Sequence, residues 1–373
     1  MDKLKIVTVV GTRPEIIRLA EIIKLLDVYT KHILVHTGQN FDYQLNDVFF
    51  KDLNLRKPNY NLGIKEKNVN NQIGSIISKV GNLLIKEKPD GFLVLGDTNS
   101  CLSVIAAKKL KIPIFHIEAG DRSFDINVPE ETNRKIVDHV SDINIPYTEH
   151  SRRNLLSEGI PPDNIYVVGS PVNEVYKKLK NKITKSKILN KLKLKKKMYF
   201  AASIHREENV DISKNFLSLI DCFNLITEKF KLPIIVSTHP RTKNKLLEKN
   251  LLKKNKLINW SNPFGLIDYL KLQINSKCVI SDSGTIHEDS SILNFQAIAI
   301  RNSTEKIESL EKGHTIIAGL DPASVYNSVN YSIRNKIKDK MPEAYLESNV
   351  SNKVVKLIIG MTKMLKSKIW KIK

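Results

Sequence analysis

The sequence predicts an α/β protein built from two doubly wound, mainly parallel sheets. Three observations lead there. Short apolar runs alternate with longer amphipathic stretches through most of the 373 residues. The runs are unbroken rather than alternating, as strands buried on both faces are, and the stretches between them are long enough for crossover helices. The alternation also comes as two series, separated by a lysine-rich stretch from residue 171 to 197. At about 150 residues per domain the length suits two or three domains, and 41% hydrophobic residues provide a core for each.

The first series opens with a strand at Leu4–Val10 and a helix at Pro14–Leu26, where proline suits the first turn because that N–H needs no partner. Strand Ile33–His36 and the amphipathic helix Asn70–Glu87 follow. Then come strand Phe92–Leu95, helix Ser100–Leu110, strand Ile114–Ile117, helix Glu130–His139, strand Ile143–Ile145, helix Glu149–Glu158 and strand Ile165–Val168. The segment from Ser170 to Met198 reads as a basic connection with an exposed helix, since lysine dominates it. The second series runs strand Tyr199–Ser203, helix Asn215–Phe230, strand Ile234–Ser237, helix Thr242–Leu251, strand Leu257–Asn259, helix Gly265–Leu272, strand Val279–Ser281, helix Ile286–Leu293 and strand Ala297–Ile300. Helices near Ala323–Arg334 and Ser351–Lys366 close the chain. Repeated βα units of this kind give parallel sheets with helices on both faces, so two Rossmann-like domains are expected, at 1–170 and 198–345, with 346–373 as a final helical segment.

Composition excludes several classes. The net charge of +21 comes from dispersed lysines, and aromatic residues are only 7%. A nucleic-acid surface would pair a focused basic patch with stacking partners, so no nucleic-acid partner is expected. Cys101, Cys222 and Cys278 are far apart and form no CxxC pair, which argues against a disulfide scaffold or a thiolate zinc site and fits a cytosolic protein. No apolar stretch approaches the roughly 18 residues of a membrane span, and Met1-Asp2-Lys3-Leu4 leads into a strand without a signal-peptide pattern. His116, His139 and His150 have no metal-ligand spacing, so no metal is expected.

The chemistry-bearing clusters all follow apolar runs, and ligands of parallel α/β proteins bind beyond the carboxyl ends of strands. Gly11-Thr12-Arg13-Pro14-Glu15 follows Val7–Val10, Gly96-Asp97-Thr98 follows Phe92–Leu95, and His116-Ile117-Glu118-Ala119-Gly120 follows Pro113–Phe115. In the second series His205-Arg206-Glu207-Glu208, Thr238-His239-Pro240-Arg241 and Ser281-Asp282-Ser283-Gly284 stand in the same relation to their runs. Two facing strand-end surfaces with a polar ligand between them are therefore expected. The turns at Gly11 and Ser283-Gly284-Thr285 open helices, whose free N–H groups attract anions, and Arg13 and Arg18 can add phosphate contacts. Ordinary turn capping explains the same residues, because Ser and Asp are good N-caps. Glu288 and Asp289 lie one turn further and could accept from sugar hydroxyls. Asp97, Glu118, Glu130, Glu131 and His205 are candidate acid/base groups, although acidic residues also favour helix starts for structural reasons. With no GxSxG elbow and no Cys–His pair, proton transfer is favoured over acyl chemistry.

Taken together and in order, Gly11–Glu15, Thr37-Gly38-Gln39, Gly96–Thr98, His116–Gly120, Pro129-Glu130-Glu131-Thr132-Asn133-Arg134, His205-Arg206 and Asp282–Gly284 resemble the motifs of the non-hydrolysing UDP-N-acetylglucosamine 2-epimerases, over about residues 5–320. The resemblance implies a GT-B-like fold with the active site in the interdomain cleft and a final helix packing back on the first domain. It also implies inversion at C2 of a UDP-N-acetylhexosamine, through elimination of UDP to a 2-acetamidoglycal and re-addition, for surface polysaccharide precursors. The family's catalytic positions fall on Asp97, Glu118, Glu130 and His205. Its substrate-binding positions are expected at Arg13, Arg18, Glu131, Arg134, His239, Arg241, Phe264, Tyr269, Ser283, Gly284, Thr285, Glu288, Asp289 and Lys306. A cytoplasmic homodimer needing no cofactor and no metal is implied, with the UDP-sugar as its ligand. The chain departs from the family's usual residues at Arg18 (lysine), Glu207 (arginine), Thr285 (glycine) and Lys306 (arginine), and Thr37–Tyr43 departs from the pattern linked to allosteric UDP-GlcNAc binding. Several departures resemble the branch acting on UDP-2-acetamido-2,6-dideoxyhexoses, which makes UDP-N-acetyl-L-fucosamine. Two alternatives stay open: a GT-B glycosyltransferase using a UDP-sugar, and a polyanion-binding protein resting on the +21 charge and the tail Lys363–Lys373 with Trp370.

Overall fold

The computed structural model describes residues 3–38, 49–66, 68–335 and 340–371, so the predicted motif positions Gln39–Tyr43 and the last two residues, Ile372 and Lys373, lie outside the described residues. The chain divides into two compact units, Met1–Lys177 with Glu343–Lys373, and Lys178–Pro342. The division falls inside the helix Val172–Lys185.

The first unit holds a six-stranded parallel sheet in the order β3-β2-β1-β4-β5-β6. Its strands are β1 (Lys5–Val10), β2 (Lys31–His36), β3 (Tyr60–Asn61), β4 (Gly91–Leu95), β5 (Ile114–Ile117) and β6 (Ile143–Ile145). The second unit repeats this order as β9-β8-β7-β10-β11-β12. These strands are β7 (Phe200–Ile204), β8 (Ile234–Thr238), β9 (Ile258–Ser261), β10 (Val279–Ser281), β11 (Ala297–Ala299) and β12 (Thr315–Ile317). In each sheet the chain winds outward from its first strand and then turns back to wind the other way. Each sheet therefore has a switch point, between β1 and β4 and between β7 and β10, where diverging connections leave room for a ligand.

Burial explains the unbroken apolar runs. Val7, Val9, Val35, Phe92 and Val94 pack against Ile76, Val80, Leu83 and Leu84 of the helix Val69–Glu87. On the helix Arg13–Tyr29, Ile16, Leu19, Ile23 and Leu26 are buried, and the final helix Val350–Trp370 packs on it, burying Val354, Ile358 and Leu365. Gly91 is closely packed: a Cβ there would stand 3.0 Å from Ile6 Cδ1, which would have to give way by a few tenths of an ångström. In the second unit Phe200, Ala202, Phe216, Leu219, Phe223 and Val236 form the corresponding core.

Two expectations need correction. Ile165–Val168 is not a strand: it makes one isolated bridge, Asn144 to Ile165. Tyr166 N donates to Asn144 O and Val168 N to Pro146 O, but Pro146 has no N–H to return, so the ladder stops. The helix in the lysine-rich stretch, expected to be exposed, is buried along one side. Val172, Val175, Tyr176, Leu179 and Ile183 are all buried and recur at helical spacing, so the lysines cover only the solvent side of Val172–Lys185. The predicted helix at Ser100 also starts as a 3₁₀ turn, Asn99–Ser103, before Val104–Lys109 continues as α-helix.

Candidate active site

At the first switch point β1 runs into Gly11-Thr12 and the helix Arg13–Tyr29. The turn's amides face a carboxylate that the chain itself supplies. Glu15 Oε2 accepts from Gly11 N at 2.8 Å, Thr12 N at 2.6 Å and Thr12 Oγ1 at 2.8 Å. Its other oxygen accepts from Thr98 Oγ1 at 2.9 Å, tying the β1 turn to the β4 turn. Burial raises the Glu15 pKa, against the bonds from Gly11, Thr12 and Thr98. Two amides expected to attract an external anion are thus spent on an internal one, as in a capping box. Arg13 lies over the Phe49 ring, 5.4 Å from its centroid. Arg18 is buried and pairs with Glu118 Oε1 at 3.5 Å.

Glu118 directly follows β5 with a φ of 65°, a left-handed conformation that costs a non-glycine residue about 1–3 kcal/mol and is typical of functional positions. Its Oε2 comes within 3.3 Å of where a Cβ on Gly96 would stand, and Gly96 itself has a φ of 80°. The backbone at position 96 therefore favours glycine. The neighbouring Asp97 is held by Arg134, with Nε at 2.9 Å and Nη2 at 2.8 Å from Oδ2. Asn133 Nδ2 donates to the Asp97 carbonyl at 2.9 Å.

Arg134 is anchored in turn by Glu131, whose Oε2 accepts from its Nη1 at 2.7 Å. Glu131 also accepts from Ser123 N at 3.0 Å, Ser123 Oγ at 3.0 Å and Phe124 N at 3.2 Å. Burial would raise its pKa, but the Ser123 and Arg134 bonds outweigh it and bring the value below the usual carboxylate range. Glu131 thus ties Arg134 to the Ser123–Phe124 turn. Glu130, at the same helix start, is half-buried. Beneath this surface His116 Nε2 meets the Gly96 carbonyl at 2.9 Å, and Nδ1 lies 2.8 Å from Asp138 Oδ1. Asp138, fully buried, also accepts from Gly120 N and pairs with Arg122 at 2.8 Å. One buried carboxylate therefore fixes the ends of both β4 and β5. Asp97 and Glu118, with side chains 30% and 11% exposed, are carboxylates that these strand ends offer.

The second switch point is organised around Asp282, which is fully buried. It accepts from His205 N and Arg206 N, each at 3.1 Å, and from Asn209 Nδ2 at 3.2 Å, and lies 3.2 Å from His205 Nδ1. Burial would raise its pKa, but the His205 imidazole and the bonds from Arg206 and Asn209 bring it below the ordinary value. Held at Nδ1, the 42% exposed His205 ring presents its Nε2 edge. The His239 ring lies 6.1 Å away between centroids, and His239 caps its helix by accepting from Arg241 N. Arg241 donates to Glu207 at 2.7 Å, which accounts for an acid at position 207: it partners an arginine already on this surface.

In the Ser283–Thr285 turn, Thr285 has φ −69° and ψ −19°. That is ordinary helical backbone, so the position does not need glycine. Its hydroxyl donates to Asp289 Oδ2 at 3.1 Å. Tyr269 lies beside Ser203 with Asp289 and Asp282 close by, and burial raises its phenol pKa. Phe264 is half-buried against the core that includes Leu272 and Ile286. Glu288, Asp289 and Lys306 are all buried. Asp282, Arg301, Glu15 and His116 were missed as site-forming residues. Arg301 stands directly after the run Ala297–Ile300, so the strand-end rule that flagged the other clusters could have found it. Among the described residues, no group of His, Cys, Asp or Glu could hold a metal ion, and no helix is long and apolar enough to cross a membrane.

Two parallel sheets in Rossmann order, each with a polar cluster at its switch point, define a GT-B-like α/β protein. The family model described as UDP-N-acetylglucosamine 2-epimerase matches residues 27–359. A UDP-N-acetylglucosamine 2-epimerase of Methanococcus maripaludis is 37% identical, over 96% of this chain and 99% of its own length. The solved structure of a UDP-N-acetylglucosamine 2-epimerase from Rickettsia bellii is 43% identical, with a TM-score of 0.92 over 99% of this chain and all of that one. The Methanocaldococcus jannaschii UDP-GlcNAc 2-epimerase, solved in complex with UDP-GlcNAc and UDP, is 35% identical, with a TM-score of 0.91 over 95% of this chain and 99% of that one. The chain belongs to the UDP-N-acetylglucosamine 2-epimerase family and is an isomerase of that type.

Proposed function

We propose that this chain inverts a UDP-N-acetylhexosamine at C2. The observation that carries this is the pairing of Asp97, fixed by Arg134, with Glu118, held at φ 65° beside Gly96. Two acids rigidly held at adjacent strand ends suit a proton taken from one face of a carbon and returned on the other. A side chain of this set takes the C2 proton, and the C1–O bond breaks with its electron pair leaving on UDP. The product is a 2-acetamidoglycal with a C1=C2 double bond. Re-addition of UDP at C1 with protonation of the opposite face of C2 completes the inversion. The Ser283–Thr285 turn with His205 and Arg206 is proposed to hold UDP, whose leaving charge needs fixed donors.

Within this class we place a UDP-2-acetamido-2,6-dideoxyhexose, such as the precursor of UDP-N-acetyl-L-fucosamine, ahead of UDP-GlcNAc. The support is the form of His205–Asp211, Ser237–Arg241 and Ser281–Ile286, including the Glu207–Arg241 and Thr285–Asp289 pairs. The product would feed surface polysaccharide synthesis. Incubation with each UDP-sugar, followed by NMR for the C2 epimer, released UDP and the glycal, tests both levels. Turnover of the 6-deoxy sugar in preference to UDP-GlcNAc is expected. Preference for UDP-GlcNAc overturns the branch, and turnover of neither overturns the function.

A further inference from the structure

Arg301 follows β11 and is 3% exposed. Its guanidinium is half committed. Nη2 donates to Glu305 Oε2 at 2.9 Å, while Nη1 is buried and has no hydrogen-bond partner among the described residues. A buried cationic donor without a partner is rare and costly, and calls for an acceptor. The Ser283-Gly284 turn indicates where that acceptor sits. A Cβ built on Gly284 would stand 3.5 Å from Arg301 Nη1, 3.6 Å from Arg206 Nη2 and 2.5 Å from Glu305 Oε1. Two guanidinium ends from different strands thus converge on one face of a glycine just before the helix Ile286–Leu293.

Each neighbour has a defined part. Arg206 is fixed by donating from Nε to the Asp282 carbonyl at 2.9 Å, and its Nη1 is 3.7 Å from Glu208. Glu305 takes one arm of the Arg301 fork and so aims the other at the turn. We propose that Arg301 Nη1 is a ligand of the substrate's diphosphate, making Arg301 a binding residue of the nucleotide in addition to the turn itself. The proposal rests on the reading of the second unit as the UDP site. A guanidinium suits the task because its fork can hold Glu305 and a phosphoryl oxygen in one plane, which an ammonium cannot do.

Affinity for UDP and for uridine, measured by calorimetry on the full chain, tests the proposal. Wild type is expected to bind UDP far more tightly than uridine. Arg301→Gln should weaken UDP by about 10- to 100-fold, the contribution of one charged hydrogen bond, and leave uridine within about twofold. Arg301→Lys, which keeps the charge beside Glu305, should weaken UDP to an intermediate degree and serves if the glutamine variant does not fold. Equal weakening of UDP and uridine would show a purely structural arginine and overturn the proposal, as would unchanged UDP affinity. Failure of wild type to bind UDP overturns the assignment of the UDP site itself.

Discussion

Glu131→Ala removes a carboxylate shared by four donors, two of them backbone amides of the Ser123–Phe124 turn. The residue is 4% exposed and Arg134 is 3% exposed, so solvent cannot readily replace the lost partner. Removing one side of a buried ion pair costs about 3–5 kcal/mol when the remaining charge is left uncompensated; Arg134 keeps its pair with Asp97, so the cost here falls at about the lower end of that range. That is well outside the ±0.5 kcal/mol of ordinary surface changes. The loss should be local. Hydrogen exchange at the amides of Ser123 and Phe124 should speed up by about 100-fold or more, since each 1.36 kcal/mol is a factor of ten. Glu131→Gln separates charge from shape. The wild-type pKa is depressed, so the carboxylate's stabilisation is present above the unfolded value near 4.5 and is lost as pH falls through the lower folded value. The stability gap between wild type and Glu131→Gln should therefore close below pH 4.5. Unchanged exchange at Ser123 and Phe124, or a gap that does not depend on pH, would refute the anchor.

His287 is fully buried, with Nδ1 2.7 Å from Thr315 Oγ1 and Nε2 3.0 Å from Thr304 Oγ1, and burial brings its pKa down to about 4. An unfolded histidine protonates near 6.5, so the second unit should lose about 3 kcal/mol as pH falls from 6.5 to 4. His287→Gln should flatten that slope in urea titrations. Gly284→Ala places a Cβ 2.5 Å from Glu305 Oε1, so it should abolish UDP binding in calorimetry while leaving the thermal midpoint of the first unit unchanged. Asp282→Asn removes the charge 3.2 Å from His205 Nδ1 and should slow C2 exchange by about 10-fold or more, with a ring reorientation visible as changed His205 nitrogen shifts.

Most of the fold was legible in the sequence because strands such as Val7–Val10 and Phe92–Leu95 are buried on both faces, with Thr8 the one polar residue among them. Ile165–Val168 misled because the limit lies in its partner: Pro146 cannot donate, which a reading of the run by itself does not reveal. The helix Val172–Lys185 was obscured by its lysines, although Val172, Val175, Tyr176, Leu179 and Ile183 carried the period all along. Tyr60–Asn61 and Thr315–Ile317 are too short to stand out from their flanks. In the candidate site, spacing located Asp97, Glu118, His205 and the Ser283 turn. It could not separate a presented carboxylate from an anchoring one: Glu130 and Glu131 are adjacent in sequence, and only the bonds from Ser123 and Arg134 distinguish the second. Arg301 shows the opposite case, where an unspent donor is visible only once its partners are known.

The most direct test of the central claim is deuterium incorporation at C2 when the protein is incubated with its UDP-N-acetylhexosamine in heavy water. Wild type should label C2 in both epimers. Asp97→Asn and His205→Ala, one from each strand-end surface, should each lose labelling by about 100-fold or more with unchanged circular dichroism. Labelling at the wild-type rate in both variants, or none in wild type with any UDP-N-acetylhexosamine, would contradict the account.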